Sequence, residues 1–149
     1  MTIVYFDSSA FVKLLVEEEG SDLGAALWDG ADAIVSSRLA YSEVRAALAA
    51  AGRDRRLAAR DVEQAEVTWE QYWAATRPVE LSAAVAAQAG KLASLYALRG
   101  ADAVHLASAI AVGNEGLLFA AWDHRLRAGV GAAGIELAPP ELAGSVETA

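Results

Sequence analysis

The chain is 149 residues long, 55% hydrophobic and 21% charged, which suits one ordinary domain with a sizeable core and excludes intrinsic disorder. It has no cysteine and only 2 histidines, so disulfide scaffolds and thiolate metal sites are excluded, and an imidazole-held zinc would need both histidines plus carboxylates. The formal net charge of -8 argues against broad, nonspecific binding to nucleic acid.

The opening Met1-Thr2-Ile3-Val4-Tyr5-Phe6 has neither the basic segment nor the long apolar run of a secretory leader. No apolar stretch approaches the ~20 residues of a spanning helix. The expectation is one cytoplasmic domain over residues 1–149, without membrane association and with a frayed tail after about residue 139.

Thr2 to Phe6 is a short β-branched and aromatic run ending at Asp7, the pattern of a buried strand. Ser8 or Ser9 caps a helix carrying Phe11, Leu14 and Leu15, with Glu17, Glu18 and Glu19 before Gly20. Ser21-Asp22 opens a second short helix that runs to Gly30. Ala33-Ile34-Val35 reads as a strand, and Ser36-Ser37 as the start signal of a helix over Arg38 to Ala51 that Gly52 ends. A long helix over 54–76 follows, stopped at Arg77-Pro78 because a residue before proline disfavours the α region. Its Trp69, Tyr72 and Trp73 face reads as core or dimer surface rather than a base-stacking platform. Leu81 to Leu98 and Ala101 to Val112 are two more helices split by Gly100. Leu117 to Trp122 is a buried strand ending at Asp123. A short helix at 124–128, a glycine-rich turn and a small strand at Ile135 to Leu137 complete the pattern. Strands separated by helices imply an α/β domain with right-handed crossovers and a parallel sheet covered on both faces.

In such sheets function gathers outside the carboxyl ends of the strands, and Asp7 and Asp123 stand at two predicted strand ends. Each alone is equally well a helix cap. Glu43 stacks with Leu39 and Ala47 on its helix, so it either snorkels to water or points into a polar pocket. Asp102 opens an otherwise apolar helix, where the helix dipole alone also favours an acid. Taken together, converging carboxylates repel one another unless a cation neutralises them. All-oxygen ligation selects a hard ion, Mg²⁺ or Mn²⁺, which can activate water and stabilise a phosphodiester during in-line displacement.

Asp7 through Leu14, Ser42-Glu43-Val44, Gly100 through Ala107 and Trp122 through Leu126 together resemble PIN-domain ribonucleases, in order and over nearly the whole chain. The resemblance extends to the VapC-type toxins of toxin–antitoxin pairs. It implies a three-layer α/β/α sandwich with a central, mostly parallel sheet and an acidic pocket that hydrolyses RNA with Mg²⁺ or Mn²⁺. By position, Asp7 and Asp102 match the principal metal ligands, Glu43 a direct or water-mediated ligand, and Asp123 the acid that completes the pocket or holds a second ion. Ser9 matches the hydroxyl beside the first aspartate. One departure is Ala121, where the family often has Thr or Ser, which leaves Asp123 less firmly oriented.

The expected reaction yields 3′-hydroxyl and 5′-phosphate ends. The alternative is a catalytically inactive PIN-like module that binds RNA or protein. A VapB-type antitoxin and a second copy of the chain are the expected partners, with Phe11, Leu15, Leu27 and Trp28 as groove candidates or plain core. His105 reads as a packing or supporting residue rather than a general base. His124 with Arg125 and Arg127, and Lys13, read as phosphate contacts or solvated side chains. Residues 37–60 hold six arginines (Arg38, Arg45, Arg53, Arg55, Arg56, Arg60) against two acids, a solvated face or a strip for RNA backbone or antitoxin.

Overall fold

A computed structural model describes residues 1–113 and 115–143. The elements in chain order are β1 (Ile3–Phe6), α1 (Ser8–Leu15), α2 (Ser21–Gly30), β2 (Ala33–Ser37), α3 (Ala40–Arg53) and α4 (Ala59–Ala74), then β3 (Arg77–Val79), α5 (Ala83–Tyr96), α6 (Gly100–Val112), β4 (Leu118–Ala120), α7 (His124–Ala132) and β5 (Glu136–Ala138). The five strands form one sheet in the order β3-β2-β1-β4-β5, and every neighbouring pair is parallel.

Side chains alternate across a strand, so each central strand feeds two cores. Val4 and Phe6 of β1 point to one face, where α1, α3 and α4 bring Phe11, Val44, Leu48 and Trp69. Tyr5 points to the other, against Leu106 of α6, Leu126 and Val130 of α7, and Phe119 of β4. This is the expected three-layer α/β/α arrangement. Trp69 is wholly buried and packs edge-on to Phe11 at a centroid distance of 4.8 Å, so the aromatic face of α4 is core at that position. Among the described residues no helix is long and apolar enough to cross a membrane.

Several local expectations are corrected. Ser36 and Ser37 do not start a helix: they end β2, fully buried, and the Ser36 hydroxyl donates to the Phe6 carbonyl at 2.6 Å. Gly52 does not end α3, which runs to Arg53 before Arg55 takes a left-handed backbone (φ 58). α4 starts at Ala59, not 54. Arg77-Pro78 is a strand, β3, paired with Val35 and Ser36. Proline is tolerated because β3 is an edge and its missing N–H costs no inner ladder bond.

α7 continues past residue 128 to Ala132 through Gly129, whose face is filled by Leu98: a Cβ there would lie 2.9 Å from Leu98 Cδ1. The break between α5 and α6 falls at Ala97 (φ 53), with Gly100 already the first residue of α6. Of the tail expected to fray, residues 139–143 are described, with Pro140 accepting from Arg127 at 3.4 Å; the remainder lies outside the described residues.

Candidate active site

β1 sits where the chain's winding reverses, with β2 and β3 on one side and β4 and β5 on the other. Ligand sites of open parallel sheets form at that point, beyond the carboxyl ends of the strands. Asp7 follows β1 there, and its N–H donates to Ala120 at the end of β4, at 3.2 Å. Asp123 leaves β4 three residues later. Glu43 enters from the first turn of α3 and Asp102 from the first turn of α6.

Asp7 caps α1. Its Oδ1 accepts from the Ala10 N–H at 3.0 Å and from the Ser9 hydroxyl at 2.7 Å. The same Ser9 oxygen accepts from the Trp122 N–H at 2.9 Å, so one hydroxyl ties the end of β1 to the end of β4. Burial pushes the Asp7 carboxyl up to about 6, with Glu43 adding to the rise and His105, Ser9 and the Ala10 amide opposing it.

Glu43 Oε1 lies 2.5 Å from His105 Nε2, and His105 Nδ1 lies 2.7 Å from the Tyr5 hydroxyl. A carboxylate only accepts, so Nε2 carries a proton toward Glu43 while Nδ1 is engaged by the Tyr5 hydroxyl. Burial, then the charge of Asp7, holds the Tyr5 phenol well above its ordinary value, so it stays protonated. His105 is therefore a buried support for Glu43.

Arg99 joins the remaining two acids. Its Nε donates to Asp102 Oδ2 at 2.9 Å and its Nη2 to Asp123 Oδ2 at 3.4 Å. The charge of Glu43 reaches it as well. Asp123 also caps α7, Oδ1 accepting from the Leu126 N–H at 3.0 Å. Ala121, the departure from the family pattern, is wholly buried. Sequence reading overlooked Arg99. The signal was present: a cation at a helix N-terminus opposes the dipole, and here it stands three residues before an acid.

In Asp7, Glu43 and Asp102 one carboxylate oxygen is engaged within the chain, and the other has no partner among the described residues. That donor set, all oxygen with one acid held above its ordinary range by burial, fits a hard divalent cation in type. Among the described residues, however, no three carboxylate or imidazole groups stand close enough to grip an ion as they are. Taking one up requires side-chain movement, and Arg99 now bridges Asp102 and Asp123.

Other candidates fall outside this cluster. Lys13 donates to the Glu19 carbonyl at 2.6 Å, pairs with Glu18 at 3.0 Å and lies over the Trp122 ring. His124 and Arg125 are exposed, whereas Arg127 is buried within reach of the Asp7 charge, donating to the Ala121 carbonyl at 2.8 Å. Within the basic stretch Arg38 pairs with Glu80, Arg45 with Glu66 and Glu70, and Arg56 with Asp54; Arg53, Arg55 and Arg60 are exposed. Phe11 is core, while Leu15, Leu27 and Trp28 are half-buried against the same cluster.

An α/β/α sandwich with acids from four segments at the carboxyl edge of a parallel sheet is the architecture expected of a PIN domain, and a PIN domain matches residues 4–128. The chain belongs to the PIN-domain family. Ribonucleases VapC45 and VapC49 of Mycobacterium tuberculosis are each 63% identical to it over 142 residues, 95% of this chain and 99% of each relative. Its place in the family is therefore with the VapC-type proteins. The crystal structure of Mycobacterium tuberculosis VapC20, a sarcin-ricin loop cleaving toxin, matches the fold with a TM-score of 0.66 at 18% identity, over 89% of this chain and 95% of that one.

Proposed function

We infer that this protein is an endoribonuclease, the toxin of a VapBC-type toxin–antitoxin system, and that it cuts RNA with Mg²⁺ or Mn²⁺. The carrying observation is the gathering of Asp7, Glu43, Asp102 and Asp123 at one edge of the sheet, in a chain 63% identical to proteins named as ribonucleases. Asp7 and Asp102 would hold the ion, with Glu43 and Asp123 completing the pocket. When bound, the ion supplies a more acidic water and charge stabilisation at the phosphate.

The chain's own residues do the positioning. Ser9 sets the Asp7 carboxylate against the end of β4. His105 holds Glu43 from behind with a proton fixed on Nε2. Exposed Arg53, Arg55 and Arg60 attract the RNA backbone locally, while the -8 net charge suppresses indiscriminate binding. Hydrolysis leaves 3′-hydroxyl and 5′-phosphate ends. The protein acts in the cytoplasm as a homodimer restrained by a VapB-type antitoxin, whose segment lies over the half-buried Leu15, Leu27 and Trp28.

The test is cleavage of RNA by the purified protein with Mg²⁺ or Mn²⁺, beside EDTA and Asp7→Asn controls. Loss of cleavage in both controls is expected. Cleavage surviving both defeats the metal reading, and a protein that neither cleaves nor binds Mn²⁺ is the inactive module instead.

A further inference from the structure

The positive charge inside an otherwise acidic pocket has a consequence beyond charge balance. Arg99 is the N-cap residue of α6, with its side chain 59% exposed, so its backbone is anchored while its guanidinium lies at the surface. Its guanidinium reaches Asp102, 10% exposed, at 2.9 Å and Asp123 at 3.4 Å, taking one oxygen from each. These acids belong to separate segments, the first turn of α6 and the N-cap of α7, so one side chain bridges them. Asp102 keeps its Oδ1 without a partner among the described residues, but Asp123 has both oxygens engaged, so an ion that draws on both acids meets the guanidinium at Asp123, and the two positive charges repel at such a separation.

We propose that Arg99 is a tethered counter-ion that competes with the divalent cation for Asp102 and Asp123, so that ion uptake and release of the arginine are one event. This rests on the metal-dependent reading above. The guanidinium keeps two facing carboxylates from repelling one another before the ion arrives. It then swings clear of the two acids, placed to meet a phosphate oxygen with the fork geometry that suits that group.

Calorimetric titration of Mn²⁺ into the metal-free wild type, Arg99→Gln and Arg99→Lys, with thermal unfolding in EDTA and in Mn²⁺, decides it. Arg99→Gln should bind Mn²⁺ roughly tenfold tighter than wild type. It should also melt lower in EDTA and gain more from Mn²⁺ than wild type does. Arg99→Lys, which keeps the charge, should remain near wild type. A loosened fold would weaken ion binding, so tighter binding marks competition. Equal or weaker affinity in Arg99→Gln overturns the proposal while leaving the metal site intact. Absence of Mn²⁺ binding in all three overturns the metal reading and this proposal with it.

Discussion

His105 Nε2 stands 2.5 Å from Glu43 Oε1, and the imidazole that joins them is almost wholly buried. With the Tyr5 hydroxyl on Nδ1 and Glu43 on Nε2, both ring nitrogens are engaged and the ring is held in a single orientation. Glu43 itself is partly exposed, on the first turn of α3. The relationship is one of support: α6 and β1 determine where a carboxylate of α3 points.

Removing that support should loosen Glu43 without unfolding the sheet. His105→Ala is expected to weaken Mn²⁺ binding by ~10- to 100-fold and to lower RNA cleavage in step. His105→Gln, which keeps a donor toward Glu43, should recover part of both. Mn²⁺ titration of the two variants, with circular dichroism to confirm the fold, checks this. Equal affinities in wild type and His105→Ala would remove the histidine from the site.

Asp7 gives a pH-dependent prediction. Its folded-state carboxyl is raised to about 6, so burial favours the protonated form. For a raised value, the stabilising contribution is complete below pH ~4 and is lost as pH climbs through about 6. Metal-free Asp7→Asn keeps the capping oxygen, avoids the buried charge, and should be more stable than wild type at pH 8 by up to about 3 kcal/mol. The difference should vanish near pH 4, while the variant loses RNA cleavage at every pH. Urea unfolding in EDTA from pH 4 to 8 measures it, and parallel curves for the two proteins would contradict the assignment.

Apart from β3, the order of elements and the acids at strand ends were legible because both are local signals. A short apolar run that stops at an aspartate marks β1 and β4, and the helical stripe of Tyr41, Val44 and Leu48 marks α3. What stayed hidden depends on neighbours remote in sequence. Pro78 reads as a breaker until β3 is seen to be an edge. Tyr5 and His105 are 100 residues apart, and Arg99 reaches Asp123 across 24. No periodicity reports such meetings; they follow from the crossovers that lay α6 against β2 and beside α7.

The glycines inside helices separate packing from propensity. Gly129 in α7 faces Leu98, and a Cβ would come within 2.9 Å of two of its methyl carbons. Gly129→Ala should therefore destabilise the protein by about 1–2 kcal/mol despite alanine's better helix propensity. Gly90 in α5 is exposed with nothing near its missing Cβ, so Gly90→Ala should add about 0.5–1 kcal/mol. Denaturant midpoints moving in opposite directions are the expected result. A shift in the same direction would mean that Leu98 yields freely.

Ser9 is the smallest group on which the geometry of the pocket depends. Its hydroxyl donates to Asp7 and accepts from the Trp122 N–H, one residue before Asp123. Ser9→Ala leaves that half-buried N–H without its partner and lets Asp7 turn about its cap bond, at a cost of about 1–3 kcal/mol. Cleavage should fall further than stability alone explains, because the acids at the ends of β1 and β4 lose their common tie. Ser9→Thr keeps the hydroxyl and should retain most of the activity. Kinetics at saturating Mn²⁺, with unfolding midpoints for the same proteins, separate the two effects. If Ser9→Ala cleaved as fast as wild type at matched folded fraction, the hydroxyl would be holding the fold and not the site.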